Sequence, residues 1–378
     1  MHVSQQAREL HDRTCVVDIH VHPSLKTHIF GHRIWKRHLS GGAWWPLTMR
    51  VDFPKAIKGG VNVLVSSVYI PESDLLRDCK ILRIMKRLST KRIRRLFDGD
   101  PMEQTLEVLS RFEKAVDEAR IEDKAVAKVA HSKAELEQIR QRGLIAVLHA
   151  VEGAHSLSND AVNVSKLFDK GVCLLTLAHF YENAAVGCVA GIPPGFGPPG
   201  CFKNYAGNNK GLTAFGTQVI DEMIRLGMII DVTHCPKDSR KQVFSRCENR
   251  TPIVFSHVGV QPLADNPMSP TDVEMKRIAD SGGLIGVIFM NHWLGEPKKK
   301  GLDRIIKTID TIVDAAGEDH VAIGSDFDGF TDPPNDVKDI ARMPRVTDAL
   351  LTAGFSESRI EKLWGLNFLR VLADGWGK

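Results

Sequence analysis

Cys15-Val16-Val17-Asp18-Ile19-His20-Val21-His22 is a β-branched apolar run that ends in two histidines, and the fold is read outward from it. Side chains alternate along a strand with period two, so His20 and His22 point to one side, with Asp18 on that side one pleat deeper. The run is apolar almost throughout, the pattern of a parallel strand covered on both faces. Seven more such runs follow, at 61–70, 144–151, 172–178, 228–233, 252–256, 284–290 and 321–325. Amphipathic stretches lie between several of them. Leu106, Leu109, Phe112 and Val116 share one helical face, as do Phe215, Val219, Met223 and Leu226. Ser269-Pro270 reads as a helix start, and Gly227, Gly282 and Gly283 as caps and turns. Eight strands alternating with helices predict an α/β fold, a closed (β/α)₈ barrel, which takes about 250 residues before insertions. A doubly wound open sheet is the competitor, because strand order is not written in one sequence. The whole chain, residues 1–378, reads as one barrel domain.

The residues that end these runs carry the chemistry. They are His20 and His22, then Glu152, His179, His234, His257, and Asp326 with Asp328. In a barrel all of them lie on the face where such folds place their active sites. One histidine at a strand end is most simply a core residue. A set of five with two or three carboxylates is poorly explained by packing, since charged groups are seldom buried unless paired or bound to metal. His20 and His22 are candidate ligands of one cation. Glu152 can bridge two cations through its two oxygens, and His234 and His257 are candidates for the second. Three protein ligands per ion leave a position open for water, as in catalytic sites. Imidazole and carboxylate without thiolate suit zinc, with manganese, cobalt or iron as substitutes. Asp326 can take a proton from water beside the ions and return it to a leaving amine. Asp328 alternates to the same side but reads better as a loop cap. Asp18 is placed to hold a ring N–H of a ligand. Alternation turns Cys235 away from the site. His28, His32, His38, His149 and His155 have no strand-end position, whereas His292 follows the seventh run and could line the pocket.

Composition sets the class. A hydrophobic content of 43%, a charged content of 25% and a net charge of +4 describe a globular chain with no nucleic-acid signature. No apolar run approaches the roughly 20 residues of a membrane span, and the N-terminus lacks the layout of a secretory signal. Seven dispersed cysteines without a CxxC read as free thiols in a reducing compartment, so a cytoplasmic protein is expected. Homodimerisation stays open.

An insertion at 71–100 follows the second strand. Within it, Arg77, Lys80, Arg83, Lys86, Arg87, Lys91, Arg92, Arg94 and Arg95 interleave with apolar residues at helical spacing, which predicts a cationic amphipathic helix at the barrel rim. It can be a packed helix, a rim supplying positive charge to an acidic substrate, or a contact for anionic lipid. The proline-rich loop 191–200 is a second expected rim element.

At Val151-Glu152-Gly153-Ala154-His155-Ser156, Leu175-Thr176-Leu177-Ala178-His179 and Gly211-Leu212-Thr213-Ala214-Phe215-Gly216 the sequence resembles the renal (membrane) dipeptidases of the amidohydrolase superfamily. The likeness continues through Ile230-Asp231-Val232-Thr233-His234, Val254-Phe255-Ser256-His257 and Asp326-Phe327-Asp328-Gly329, from about residue 15 to the C-terminus. It implies a barrel with two zinc ions that hydrolyses the amide bond of a dipeptide or other small amide. It makes Glu152 the bridge, His179 a contact to substrate or oxyanion, and Asp326 the acid and base. Two departures stand out. The first strand carries His20-x-His22 where the family commonly has His-x-Asp. The stretch 258–267 lacks the arginine that in the family binds the dipeptide carboxylate. Arginine suits that task because its planar fork matches a carboxylate, so an altered amide, ester or lactone substrate is expected. The alternatives are a lactonase- or esterase-type metallohydrolase and a catalytically silent metal-binding scaffold.

Overall fold

The computed structural model describes residues 3–41, 48–190, 201, 205–248, 250–295, 301–329 and 331–377. Eight parallel strands pair in chain order: β1 (Val16–Val21), β2 (Val61–Tyr69), β3 (Ile145–Glu152), β4 (Val172–Thr176), β5 (Ile229–Asp231), β6 (Ile253–Val258), β7 (Leu284–Val287) and β8 (Val321–Ile323). That order excludes the doubly wound alternative. The ring is nearly closed where the chain after β8 returns to β1. Val21 bridges Phe327 in parallel, the Asp326 N–H donates to the His20 carbonyl at 2.9 Å, and the His22 N–H donates to the Phe327 carbonyl at 2.9 Å. A short strand, Ala127–Val129, adds to the start of β3.

Strands β1 and β3 are buried along their whole length, which is why their sequences do not alternate. Helices cover the outside with the faces expected of them: Leu109, Phe112 and Val116 of Pro101–Asp117 are buried, as are Val219 and Met223 of Ala214–Leu226. The helix expected from Ser269-Pro270 begins later, at Asp272. Its start is fixed by a capping box in which the Thr271 side chain accepts from the Glu274 N–H and the Glu274 carboxylate accepts from the Thr271 N–H. Among the described residues no helix is long and apolar enough to cross a membrane.

Two sequence expectations need correction. The insertion is three short helices, Ser73–Asp78, Lys80–Leu88 and Lys91–Asp98, instead of one. The chain turns extended at Cys79 and again at Ser89, and Thr90 caps the third helix by accepting from the Ile93 N–H. The cysteines are not all free either: Cys79 and Cys201 form a disulfide, while Cys15, Cys173, Cys188, Cys235 and Cys247 remain thiols. The pair is separated by 122 residues, so no local spacing reveals it. With a disulfide present, cysteine usage no longer points to a reducing compartment. The expected rim loop 191–200 lies outside the described residues.

His149, in the middle of β3, is fully buried, and neither ring nitrogen has a hydrogen-bond partner among the described residues. Burial presses its pKa down to about 3 from the ordinary 6.5. The unfolded chain therefore binds a proton that the folded chain refuses, and stability falls as pH drops from 6.5 toward 3. His149→Leu removes this penalty. In urea unfolding of chelator-treated protein, the variant should gain about 2–3 kcal/mol more over the parent near pH 4.5 than near pH 7.5. Equal gains at both pH values would show that the imidazole is not held neutral.

Candidate metal centre

Each candidate side chain is presented where its strand leaves the sheet. His20 lies inside β1, and His22 is the residue before helix Pro23–Phe30. Glu152 is the last residue of β3. Gly153 follows at φ 95°, where an added Cβ would sit 2.3 Å from the His155 ring, so only glycine makes this turn. His179 comes three residues after β4 and His234 three after β5, while His257 is still within β6. Asp326 comes three residues after β8. His234 and Asp326 both adopt the left-handed backbone region, at φ 65° and 57°. For residues other than glycine such conformations cost about 1–3 kcal/mol and gather at functional sites. They also explain why several expected runs overshoot the observed strands: the ladder stops so that the next residues can swing inward.

The result is a knot of imidazoles around one carboxylate. His20 Nε2 and His22 Nε2 are 3.0 Å apart, as are His234 Nε2 and His257 Nε2. Glu152 Oε1 is 3.2 Å from His234 Nε2, 3.4 Å from His257 Nε2 and 3.7 Å from His20 Nε2. Glu152 Oε2 is 3.4 Å from His22 Nε2. All five residues are buried. The donors His20, His22 and Glu152 form one compact triplet and Glu152, His234 and His257 another, with Glu152 common to both.

These donors fit divalent metal. Two nitrogens bound at about 2.0–2.1 Å in a tetrahedral site stand roughly 3.3 Å apart, close to the spacing here. Without a cation, two buried ring nitrogens face each other 3.0 Å apart and can satisfy one another only by sharing a proton. His257 is further oriented: Ser256 Oγ lies 2.8 Å from its Nδ1 and donates to Asp231 at 2.6 Å. The expected ring contact from Asp18 is absent. Asp18 accepts from the Ser325 N–H and hydroxyl and from the His20 backbone N–H, so it ties β1 to the end of β8 instead of touching an imidazole. Among the described residues the Nδ1 atoms of His20, His22 and His234 have no acceptor.

Asp326 reaches the same knot, its Oδ1 lying 3.2 Å from His22 Nε2 and 4.0 Å from His20 Nε2. Gly329 makes room for it, since a Cβ there would lie 2.0 Å from Asp326 Oδ1. Burial pushes the Asp326 carboxyl above its ordinary range, with His22 opposing. Burial also works upward on Glu152, but His179, His234, His20 and His22 overcome it and hold that carboxyl well below the usual range. Asp328 points elsewhere and accepts from the backbone N–H groups of Arg50 and Val51 at 2.8–3.0 Å, which makes it a loop cap.

Sequence reasoning missed Glu72. This buried carboxylate, just past β2, accepts from His179 Nδ1 at 2.9 Å and from the Tyr69 hydroxyl. Burial works against a charged His179, but Glu72 and Glu152 outweigh it and raise the imidazole's pKa. Glu72 itself is held at about 2: burial acts upward, and His179 overrides it. Its position carried a signal: Glu72 comes three residues after β2, the offset at which His179, His234 and Asp326 follow their strands. His292 does not line the chamber above the site, whereas its neighbour Trp293 does.

A family model of membrane dipeptidases, peptidase family M19, matches residues 4–375. The chain belongs to the membrane dipeptidase family. Members of that family are hydrolases that use metal ions. An uncharacterized Klebsiella pneumoniae protein from the pqqA 5' region is 32% identical over 65% of this chain and 88% of its own length. The dipeptidase tcpJ of Claviceps purpurea is 28% identical over 65% of this chain and 55% of its own. The chain therefore spans little more than half of that dipeptidase. Among solved structures, the probable dipeptidase PvdM of Pseudomonas aeruginosa aligns with TM-score 0.75 and 22% identity over 98% of this chain and 97% of that one. A metallopeptidase of Rhodobacter sphaeroides, liganded with a phosphinate mimic of L-Ala-D-Ala, aligns with TM-score 0.75 and 22% identity over 96% and 99%. Both likenesses show the barrel.

Proposed function

We propose that this member of the dipeptidase family is a zinc-dependent hydrolase of the amide bond of a small substrate. His20, His22 and Glu152 hold one ion, and Glu152, His234 and His257 hold a second. One observation carries the reading: a single buried carboxylate is shared by two ligand triplets drawn from four strands. The dipeptidase name of the Claviceps relative and the dipeptide mimic in the Rhodobacter structure support amide chemistry. Divalent ions held there supply Lewis acidity and lower the pKa of water to about 7.

The chain's own groups do the rest. His179, held by Glu72 and raised in pKa, offers a proton-bearing nitrogen where negative charge develops on the substrate carbonyl oxygen. Asp326, beside His22, receives a proton from attacking water and passes it to the leaving nitrogen.

Chelator-treated protein reloaded with zinc should bind about two ions per chain and recover hydrolysis of small amides and dipeptides, both lost again on chelation. Activity that survives complete metal removal would overturn the proposal.

A further inference from the structure

The chamber above the metal centre has a polar floor and apolar walls. Its floor is His22, Glu152, His179, His234, His257 and Asp326. Its walls include Leu25 and Ile29 of helix Pro23–Phe30, Leu75, Leu82 and Phe97 from the three insertion helices, and Met290 beyond β7. The chamber has a volume of about 110 Å³ and opens to solvent. Among the described residues no lysine or arginine lines it. The insertion is rich in cations, yet Arg83 and Arg87 face solvent while Leu82 and Phe97 face the chamber. The insertion helices therefore bring apolar surface, not cations, to the chamber walls.

This arrangement discriminates by charge. A free dipeptide carries an ammonium and a carboxylate, and a charge placed against these walls would be desolvated with no counter-ion among the described wall residues. Burying an unpaired charge is strongly unfavourable, whereas each methylene buried is favourable. The floor, where His179 and Asp326 act, receives the scissile amide, so the substituents of that amide extend along these walls. We propose that the substrate is an uncharged N-acyl amide whose acyl chain, several carbons long, lies along Leu25, Leu75, Leu82 and Phe97. This rests on the amide-hydrolase reading above. The amide C–N bond breaks and a C–O bond forms with water oxygen. One water proton ends on the leaving amine, and the products are a carboxylic acid and that amine, with no change of oxidation state.

The test is a chain-length series on the full-length, zinc-loaded protein: N-acetyl-, N-butanoyl-, N-hexanoyl- and N-octanoyl-glycinamide. N-octanoylglycine is added for its carboxylate, and L-Ala-L-Ala and L-Ala-D-Ala as zwitterions. The expected result is kcat/KM rising about fourfold per methylene, the factor that burial of one CH₂ implies. Octanoylglycinamide should exceed octanoylglycine and both dipeptides by at least tenfold. Leu82→Asp and, separately, Phe97→Gln should flatten the slope by raising KM for the octanoyl compound far more than for the acetyl one. A flat series, or dipeptides ahead of octanoylglycinamide, overturns the proposal and leaves the amide-hydrolase reading standing. If no amide is cleaved, that reading fails. Calorimetric binding of octanamide against acetamide then decides the chamber: tighter binding of the longer amide upholds it, and equal affinity refutes it.

Discussion

Glu152→Gln is expected to strip the protein of its metal while leaving its fold in place. Glutamine has the shape of glutamate, so the packing at the end of β3 is unchanged and the circular dichroism spectrum should match the parent. What is lost is the one carboxylate within 3.7 Å of four ring nitrogens. A neutral amide oxygen can still touch one cation, but it cannot bridge two while offsetting their charge. Removing groups that merely orient metal ligands costs about 10–100-fold in affinity or activity. Losing the shared ligand itself should therefore cost at least about 100-fold in affinity. Elemental analysis after dialysis should fall from about two ions per chain to one or none, and hydrolysis should fall with it. A variant that keeps both ions and full activity would remove Glu152 from the centre.

Much of this centre was legible in the sequence, and the reason is geometric. In a barrel every strand ends on one face, so His20, Glu152, His179 and His257 could be gathered by finding where apolar runs stop. Asp18 and Glu72 were not legible in the same way. Strand alternation placed Asp18 on the inner side correctly, but its oxygens turn toward Ser325 just past the last strand, a partner 307 residues away. Glu72 stands two residues beyond the second apolar run, past Pro71, so gathering only the residues that end each run passes over it. The Cys79–Cys201 disulfide is hidden because its partners lie 122 residues apart. The insertion shows the limit most clearly. Its charge pattern foretold a cationic rim, yet the helix side chains that reach the chamber are Leu75, Leu82 and Phe97. Composition reports what a segment contains; only packing decides which face turns inward.

Asp326→Asn separates two roles that proximity alone leaves joined. Asp326 Oδ1 is 3.2 Å from His22 Nε2, and Asp326 also forms a compact donor triplet with His20 and His257, so it has the position of either a ligand or a proton carrier. Three observations favour the proton carrier. The five other residues already supply two complete triplets. Burial raises the Asp326 pKa, as suits a group that must both accept and release a proton. Its left-handed backbone, at φ 57°, holds the carboxyl over the knot, with Gly329 clearing space beside it. Asparagine keeps the shape and a carbonyl oxygen but cannot take up a proton. As proton carrier, Asp326→Asn should retain parental metal content and bind substrate with little change in KM, while kcat falls by about 10²–10⁴-fold. A leaving group that needs no protonation, such as p-nitrophenolate from an acyl ester, should recover part of the lost rate. As ligand, the same substitution would lower metal content and excess zinc would restore activity. Metal titration and kcat on amide and ester substrates, measured on one preparation, therefore assign the residue.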